Sequence, residues 1–527
     1  MKSCGIVATV LAAMFALPAA AEGPSTVTVD TQTGNGSSDR IGDFLGFQGG
    51  LALEGTAPPG YDPDAYDHWL LDAWRGVSLH VGQINLFETS PDGGGAQVWR
   101  GKDGRPVVDP TPLRAYLEHV LDPGALACRS VAFCIGYMPP AISMLPEDHE
   151  DAQYVAPADY EEWKYVVRET VRYITSLKEE FHIERVDYMV WEEAESTWYW
   201  RGRNRDLADP ESRREILGDY LELYRNTWEA VKEIDPEARV GGAHTMTWFP
   251  YDGTAFTLED FLEALARSNE ASCGAPVTID RLVWQDYNWG GFPRMSTGAA
   301  AVRQMLKRHG YPEDTPQVVL GWNRGWGYDP DGGQDLHDVA AHIAGNIVDQ
   351  ASPSGGGGLE RAYLWPFDHD TGYAGIAVVT APAEEQWIDP MGGVGERQYI
   401  PPVKEFSLRP AYAALQMLRG MMGGEFLTTA QSCGSPLEVM AVRTETRVST
   451  ILVNDTAQDH DTTLTFTGLA PSDGWIEVLV QWIDPDHSSD GQGLEKGSSE
   501  WVSVTGGEAR IKLSFKARAV ARVSLAQ

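Results

Sequence analysis

Three glutamates and three indoles share the stretch from Arg185 to Trp200, which reads R-V-D-Y-M-V-W-E-E-A-E-S-T-W-Y-W. Its first half is an apolar, β-branched and aromatic run of the kind a strand buried on both faces shows, and it ends abruptly in Glu192, Glu193 and Glu195. A carboxylic acid can hand a proton to a glycosidic oxygen, and an indole offers a flat apolar surface to the C–H face of a sugar ring. Two adjacent carboxylates also push their pKa values apart, which helps keep one of them protonated near neutral pH. The plainer alternative is a strand end followed by a solvated acidic turn, so the weight falls on what surrounds the stretch.

Strands are expected at Ile41 to Gln48, Val77 to Phe87, Val131 to Met138, from Arg185 up to the acidic cluster, Arg239 to Thr245, Ile279 to Tyr287, Gln317 to Trp322 and Arg361 to Phe367. Helices are expected between and after them, at Asp64 to Arg75, Pro112 to Leu121, Asp159 to Phe181, Ser212 to Ile234, Thr257 to Ser268, Ser296 to Arg308, Leu336 to Ser352 and Pro410 to Met421. The clearest is Asp159 to Phe181, where Trp163, Val167, Val171, Ile174, Leu177 and Phe181 recur every three or four residues, and Asp159 with Glu162 reads as a capping box. Eight strands alternating with helices are the signature of a parallel (β/α)8 TIM barrel. A doubly wound open sheet is disfavoured, because no Gly-rich phosphate fingerprint follows the first strand.

Beyond Gly424 the pattern changes to short alternating segments, Leu437 to Thr444, Val448 to Asn454, Thr462 to Thr467, Trp475 to Trp482, Trp501 to Thr505, Ala509 to Ser514 and Ala519 to Leu525. These read as a C-terminal all-β sandwich, with the early strand Ser25 to Asp30 pairing onto it and Thr31 to Ser38 as a Gly/Ser linker. The expected division is a secretory signal at 1–21, an N-terminal strand and linker at 22–40, an α/β barrel at 41–423 and the all-β domain at 424–527.

Met1 to Ala21 carries Lys2, an apolar run and the small-residue end Pro18-Ala19-Ala20-Ala21, the pattern of a secretory signal, so a secreted or periplasmic protein is expected. Nothing later reaches the roughly 20 apolar residues of a membrane span. With 41 basic against 76 acidic residues the net charge is −35, which argues against nucleic acid and against anionic membranes as partners. Beyond the signal, Cys128, Cys134, Cys273 and Cys433 show no metal-ligand spacing, and no metal or cofactor is expected; a Cys128–Cys134 bridge stays open. Asp329, Asp331 and Asp335 sit in D-P-D-G-G-Q-D, a faint calcium-loop pattern that lacks the closing Glu.

In a barrel of this kind chemistry gathers at the C-terminal strand ends. There the sequence sets Trp191, Glu192, Glu193 and Trp198 after strand four, His244 and Trp248 after strand five, and Gln285, Asp286 and Tyr287 after strand six. Trp322, Asn323 and Arg324 follow at strand seven, and Trp365, Asp368 and Asp370 at strand eight. Arg201, Arg203 and Arg324 are candidates for uronate or sulfate groups, or for pairing with local acids.

The order and spacing of these motifs resemble glycoside hydrolase family 39, which holds β-xylosidases and α-L-iduronidase. Members carry Trp-Asn-Glu-Pro at strand four, where the Glu is the acid/base, and Thr-Glu-Trp-Asn at strand seven, where the Glu is the nucleophile. Here the first stands as Trp191-Glu192-Glu193-Ala194 and the second as Leu320-Gly321-Trp322-Asn323. Further matches are Gly136-Tyr137-Met138-Pro139, Val240-Gly241-Gly242 and Arg409-Pro410-Ala411-Tyr412. The resemblance implies a carbohydrate-active protein, a polysaccharide or oligosaccharide partner, and Glu193 as acid/base. It also puts Gly321 at the nucleophile position and Gln285 where the family has a strand-six His.

Three chemistries fit those departures. A substrate 2-acetamido group can supply the nucleophile, with Glu192 steadying it and Glu193 donating the proton; another carboxylate, Asp286, Asp368 or Asp370, can serve an inverting reaction; or the cleft binds a glycan without cutting it. The expected site is therefore Glu193 and Glu192 as catalytic residues, with Trp191, Trp198, His244, Gln285, Asp286, Tyr287, Trp322, Asn323 and Trp365 around the sugar.

Overall fold

The computed structural model of the chain describes residues 24–48, 80–87, 95–121, 130–183, 185–196, 198–203, 209–251, 253–271, 276–287, 294–324, 337–353, 355, 358–365, 377–378, 386–388, 398–400, 407–470, 473–487, 494 and 496–526. The expected helix at Asp64 to Arg75, the signal segment, Cys128, Cys273, the 329–335 acidic loop, Asp368 and Asp370 lie outside them.

After the N-terminal strand β1 (Ser25–Ser37), eight strands form the barrel: β2 (Leu45–Gln48), β3 (His80–Asn85), β4 (Ser130–Ile135), β5 (Arg185–Val190), β6 (Arg239–Thr245), β7 (Arg281–Asp286), β8 (Gln317–Trp322) and β9 (Arg361–Leu364). Each pairs in parallel with the next and β9 returns to β2, so the sheet closes. Parallel strands wrapped by helices have no solvated face, which is why β4, β8 and β9 are buried at every residue. The helices are α1 (Thr111–Leu121), α2 (Tyr160–Leu177), α3 (Pro210–Ile234), α4 (Leu258–Ala271), α5 (Met295–Arg308), α6 (His337–Ala351) and α7 (Pro410–Arg419).

Side chains fill the barrel interior. The Tyr363 ring crosses it and leaves no room opposite: a Cβ on Gly46 or Gly82 would lie 2.4 and 2.6 Å from that ring. At the N-terminal strand ends Arg239 grips Asp187 at 2.8 and 3.1 Å and Glu360 at 2.7 and 2.8 Å, a paired cluster on the face away from the acidic stretch.

The C-terminal strands are β10 (Glu425–Gln431), β11 (Glu438–Arg443), β12 (Arg447–Asn454), β13 (His460–Thr467), β14 (Gly474–Ile483), β15 (Ser498–Thr505), β16 (Glu508–Phe515) and β17 (Ala519–Ala526). With β1 they hydrogen-bond into one closed ring of nine, β1 running antiparallel to β10 and parallel to β13. The expected all-β domain is thus present, and the N-terminal strand completes its sheet. One hydrophobic core runs from the barrel helices into it, joining Ile343, Ile347 and Leu415 to Met440, Ile451, Val453 and Val520. Within that contact Asp455 accepts from Arg294 at 2.5 Å and from Arg518 at 2.6 Å.

Four local expectations are corrected. Thr31 to Ser37 is not a linker but continues β1 through two register shifts, pairing Gly34 with Leu427 and Ser37 with Glu425. Its partner β10 was not anticipated, because its alternation is interrupted by the polar run Thr428-Thr429. Residues 41–44 form a helical turn ahead of β2 rather than part of the strand. Asp159 caps α2 through Glu161 N, whereas Glu162 leaves the capping box for Arg100, which it meets at 2.5 and 2.7 Å.

Candidate active site

The chain leaves β5 through a turn that a side chain rarely adopts. Trp191 has φ +68° and Glu193 φ +42°, and His244 at the end of β6 has φ +45°. Three of the five left-handed non-glycine residues among those described therefore stand at one mouth of the barrel, where each costs roughly 1–2 kcal/mol that the surrounding contacts must offset. The turn drives the Trp191 indole inward, edge-on to Trp200 at 4.7 Å with its N–H donating to Tyr199 O at 2.6 Å, and leaves Glu192 and Glu193 facing the mouth, both partly exposed. Close approach of β4 helps: a Cβ on Gly136 would sit 3.2 Å from Trp191 Cα. From the next residue, the Tyr137 hydroxyl donates to Glu192 Oε2 at 2.7 Å.

Burial pushes the Glu193 carboxyl well above the usual carboxylate range. The charges of Glu192 and Glu195 push it the same way, and a hydrogen bond from Gln285 only partly opposes them. Glu193 is therefore biased toward its protonated form while remaining partly exposed. Gln285 is itself fixed from behind, its amide nitrogen 3.1 Å from His244 Nε2. His244 Nδ1 lies 3.3 Å from Trp191 O and Nε2 lies 3.3 Å from Leu320 O. Burial lowers this imidazole to about 4, so it is neutral; with its proton on Nδ1 it donates to Trp191 O and accepts from Gln285. Glu193 is thus held by a buried relay that starts at its own strand end.

Tyr287 closes another side. Its phenol is raised by burial and then by the charges of Glu193 and Glu192, and its ring meets Trp365 edge-on at 6.0 Å. Asn323 ties β8 to β9 by donating to Trp365 O at 3.0 Å and accepting from Arg324 N at 2.8 Å.

Glu195 has a different environment from its neighbours. It is 2% exposed, its Oε1 accepts from Met246 N, and its Oε2 has no partner among the described residues. Burial raises it to about 8, against the lowering effect of those backbone donors. Its own carbonyl accepts from Ala255 N at 2.8 Å, so this residue clamps the loop after β5 to the loop after β6.

Glu192, Glu193, Gln285 and Tyr287 are brought together as the sequence suggested. The aromatic expectation needs correcting: Trp191 and Trp322 are fully buried and offer no face to a sugar, because the left-handed turn and the β8 bulge point both indoles into the core. His244, Asn323 and Gln285 are also buried and act from behind the mouth. The aromatic surface left at the opening comes from Trp198, exposed by 46%, and the partly exposed Trp365, whereas Tyr287 is buried. Asp286 is partly exposed at the end of β7, and its backbone carbonyl accepts from Asn323 N at 3.3 Å. Tyr137 and Tyr199 were missed as site residues; the Gly136-Tyr137-Met138-Pro139 motif at the end of β4 was the available signal.

Arg201 pairs with Asp151, Arg203 with Glu222 at 2.6 Å, and Arg324 with Asp338, so these arginines are engaged by local acids rather than free for an anionic sugar. Cys134 is buried and unbridged. Gly321 has φ +93° and lies where β8 slips register against both β7 and β9, a bulge that favours glycine. Among the described residues no cluster of His, Cys, Asp or Glu would hold a metal, and no helix is long and apolar enough to cross a membrane.

No family model matches the chain. A β-xylosidase of Caldicellulosiruptor saccharolyticus is 26% identical over 121 residues, which is 22% of this chain and 22% of that relative, so the match spans about a fifth of its length. Likeness to solved structures is far more extensive. The GH39 enzyme of Xanthomonas axonopodis pv. citri superposes with a TM-score of 0.65 at 16% identity, over 96% of this chain and 97% of that one. A GH39 β-xylosidase of Caulobacter crescentus gives 0.61 at 16% identity over 95% and 99%. A bacterial orthologue of human α-L-iduronidase gives 0.63 at 14% identity over 95% and 84%. Over nearly its whole length the chain, an eight-stranded barrel joined to an all-β domain that takes in the N-terminal strand, is therefore similar in fold to family 39 glycoside hydrolases of known structure.

Proposed function

We propose that this chain is an exported glycoside hydrolase in which Glu193 is the general acid and the second carboxylate needed at the anomeric carbon is replaced by a group of the substrate. The observation that carries the reading is the unequal treatment of two adjacent glutamates. Burial and like charge favour the protonated form of Glu193, whereas Glu192 is oriented by the Tyr137 hydroxyl. Glu193 delivers its proton to the glycosidic oxygen as the bond to the anomeric carbon breaks. A 2-acetamido carbonyl oxygen on the same sugar attacks that carbon, with Glu192 accepting the amide N–H. Glu193, now a carboxylate, then takes a proton from the water that opens the cyclic intermediate, and the configuration is retained overall.

This assignment accounts for Gly321. A side chain on the β8 bulge is strained at φ +93°, and substrate assistance does not require one there. The inverting alternative needs a base roughly 6.5–9.5 Å from Glu193; of its three candidates only Asp286 lies among the described residues. The test uses aryl β-glycosides that differ only in carrying a 2-acetamido or a 2-hydroxyl group, with the anomer released followed by NMR. Turnover of the acetamido sugar alone, with retention, supports the reading; an inverted product, or equal turnover of both, contradicts it. Binding of oligosaccharides without any turnover would identify a glycan-binding protein instead.

A further inference from the structure

The two most exposed large hydrophobic side chains among the described residues are neither at the barrel mouth nor scattered. Trp475 is 66% and Trp501 is 65% exposed, and they lie on neighbouring strands of the all-β domain. In the β14–β15 register Trp475 opposes Ser503 and Trp501 opposes Glu477, so the indoles are diagonal neighbours on one face, their backbones about 7–8 Å apart. Ile476, Val478 and Val502 point the other way, into or toward the domain core. This end of β14 extends past the last pairing with β17, at Val478 and Leu525, so the indoles stand on a ribbon free of a β17 neighbour.

From this arrangement we infer that the outward face of β14 and β15 is a second carbohydrate site, which takes a neutral polysaccharide chain. A single exposed Trp is ordinary, but two that share a face are not. Two indoles exposed by two-thirds present roughly 250 Å² of aromatic surface, far below the ~800 Å² that each partner contributes to a stable protein interface, and comparable to a few sugar rings. The rest of the face is polar and suited to hydroxyl groups: Glu477 accepts from the Ser499 hydroxyl at 2.5 Å, and Ser503 lies opposite Trp475. Charge excludes the other occupants. With a net charge of −35 and Glu477 on the indole face, a second copy of the chain, an anionic glycan and a nucleic acid are all repelled. The choice of a glycan leans on the reading of the barrel as carbohydrate-active, but the site is separate from it.

The test is native gel electrophoresis of the full chain with neutral arabinoxylan, xyloglucan, galactomannan or mixed-linkage β-glucan cast in the gel. At least one should retard the wild type and Glu193→Gln equally. Trp475→Ala with Trp501→Ala should weaken that retardation at least tenfold at unchanged melting temperature, and the paired Phe replacements should restore part of it. No retardation by any of the four polymers overturns the inference, as does equal retardation of the double Ala variant. A change in sedimentation without a change in retardation also overturns it and makes the face a self-association surface. Retention that depends on the two indoles in a protein that hydrolyses nothing would leave this site standing while removing the proposed activity.

Discussion

Replacing Glu195 by Gln should flatten the pH dependence of folding stability on the alkaline side. Glu195 is 2% exposed and titrates near 8, against the 4.5 of a carboxyl in water. Because the folded-state pKa is raised, native protein keeps a proton that the unfolded chain has already released. The contribution is complete below pH 4.5 and is lost as pH rises toward 8. At about 1.4 kcal/mol per pH unit the full loss is about 5 kcal/mol, a large part of the stability of an ordinary domain. Glutamine keeps the carbonyl that accepts from Met246 N and cannot ionise. Denaturant unfolding of both proteins from pH 5 to pH 9, followed by tryptophan fluorescence, cancels every other titrating group in the difference. Relative to wild type, Glu195→Gln should gain about 1.4 kcal/mol per pH unit through the middle of that range. A difference that stays constant with pH would refute the burial argument for Glu195.

The remaining predictions concern the acid limb, the second glutamate and the β8 bulge. His342, buried beside Asp455 and lowered to about 4, supports the fold fully above pH 6.5 and loses that support as pH falls toward 4. Differential scanning calorimetry should show His342→Asn reducing the acid-side loss by about 3 kcal/mol. Tyr137→Phe removes the hydrogen bond that orients Glu192, so turnover should fall roughly 10- to 100-fold and folding stability by about 0.5–3 kcal/mol, read from kinetics and thermal unfolding. Gly321→Ala places a side chain at φ +93° and should lower stability by roughly 1–2 kcal/mol in thermal unfolding.

The barrel was legible because burial on both faces leaves a mark in the sequence: β6 and β8 fall on the predicted bounds, and α5 and α6 begin and end within one residue of theirs. Glu193 and its neighbour were legible because a run of apolar residues that ends in carboxylates is a chemical discontinuity. The roles of the tryptophans were not, because an indole that seals a barrel and one that lines its mouth have the same periodicity. The difference is made by left-handed backbone at Trp191 and by the bulge at Gly321, and neither has a side-chain signature. Strand β10 escaped notice for a related reason: its ladder is completed by β1, hundreds of residues earlier, so local alternation understates it.

A comparison of leaving groups tests the central claim, that Glu193 gives its proton to a glycosidic oxygen. Two glycosides of one sugar are compared, a dinitrophenyl glycoside whose leaving group needs no proton and an alkyl glycoside whose leaving group does. Glu193→Gln should lower kcat on the alkyl glycoside by roughly 100- to 10,000-fold and on the dinitrophenyl glycoside by less than about tenfold. Equal losses on the two substrates, or undiminished turnover of the alkyl glycoside, would contradict the account.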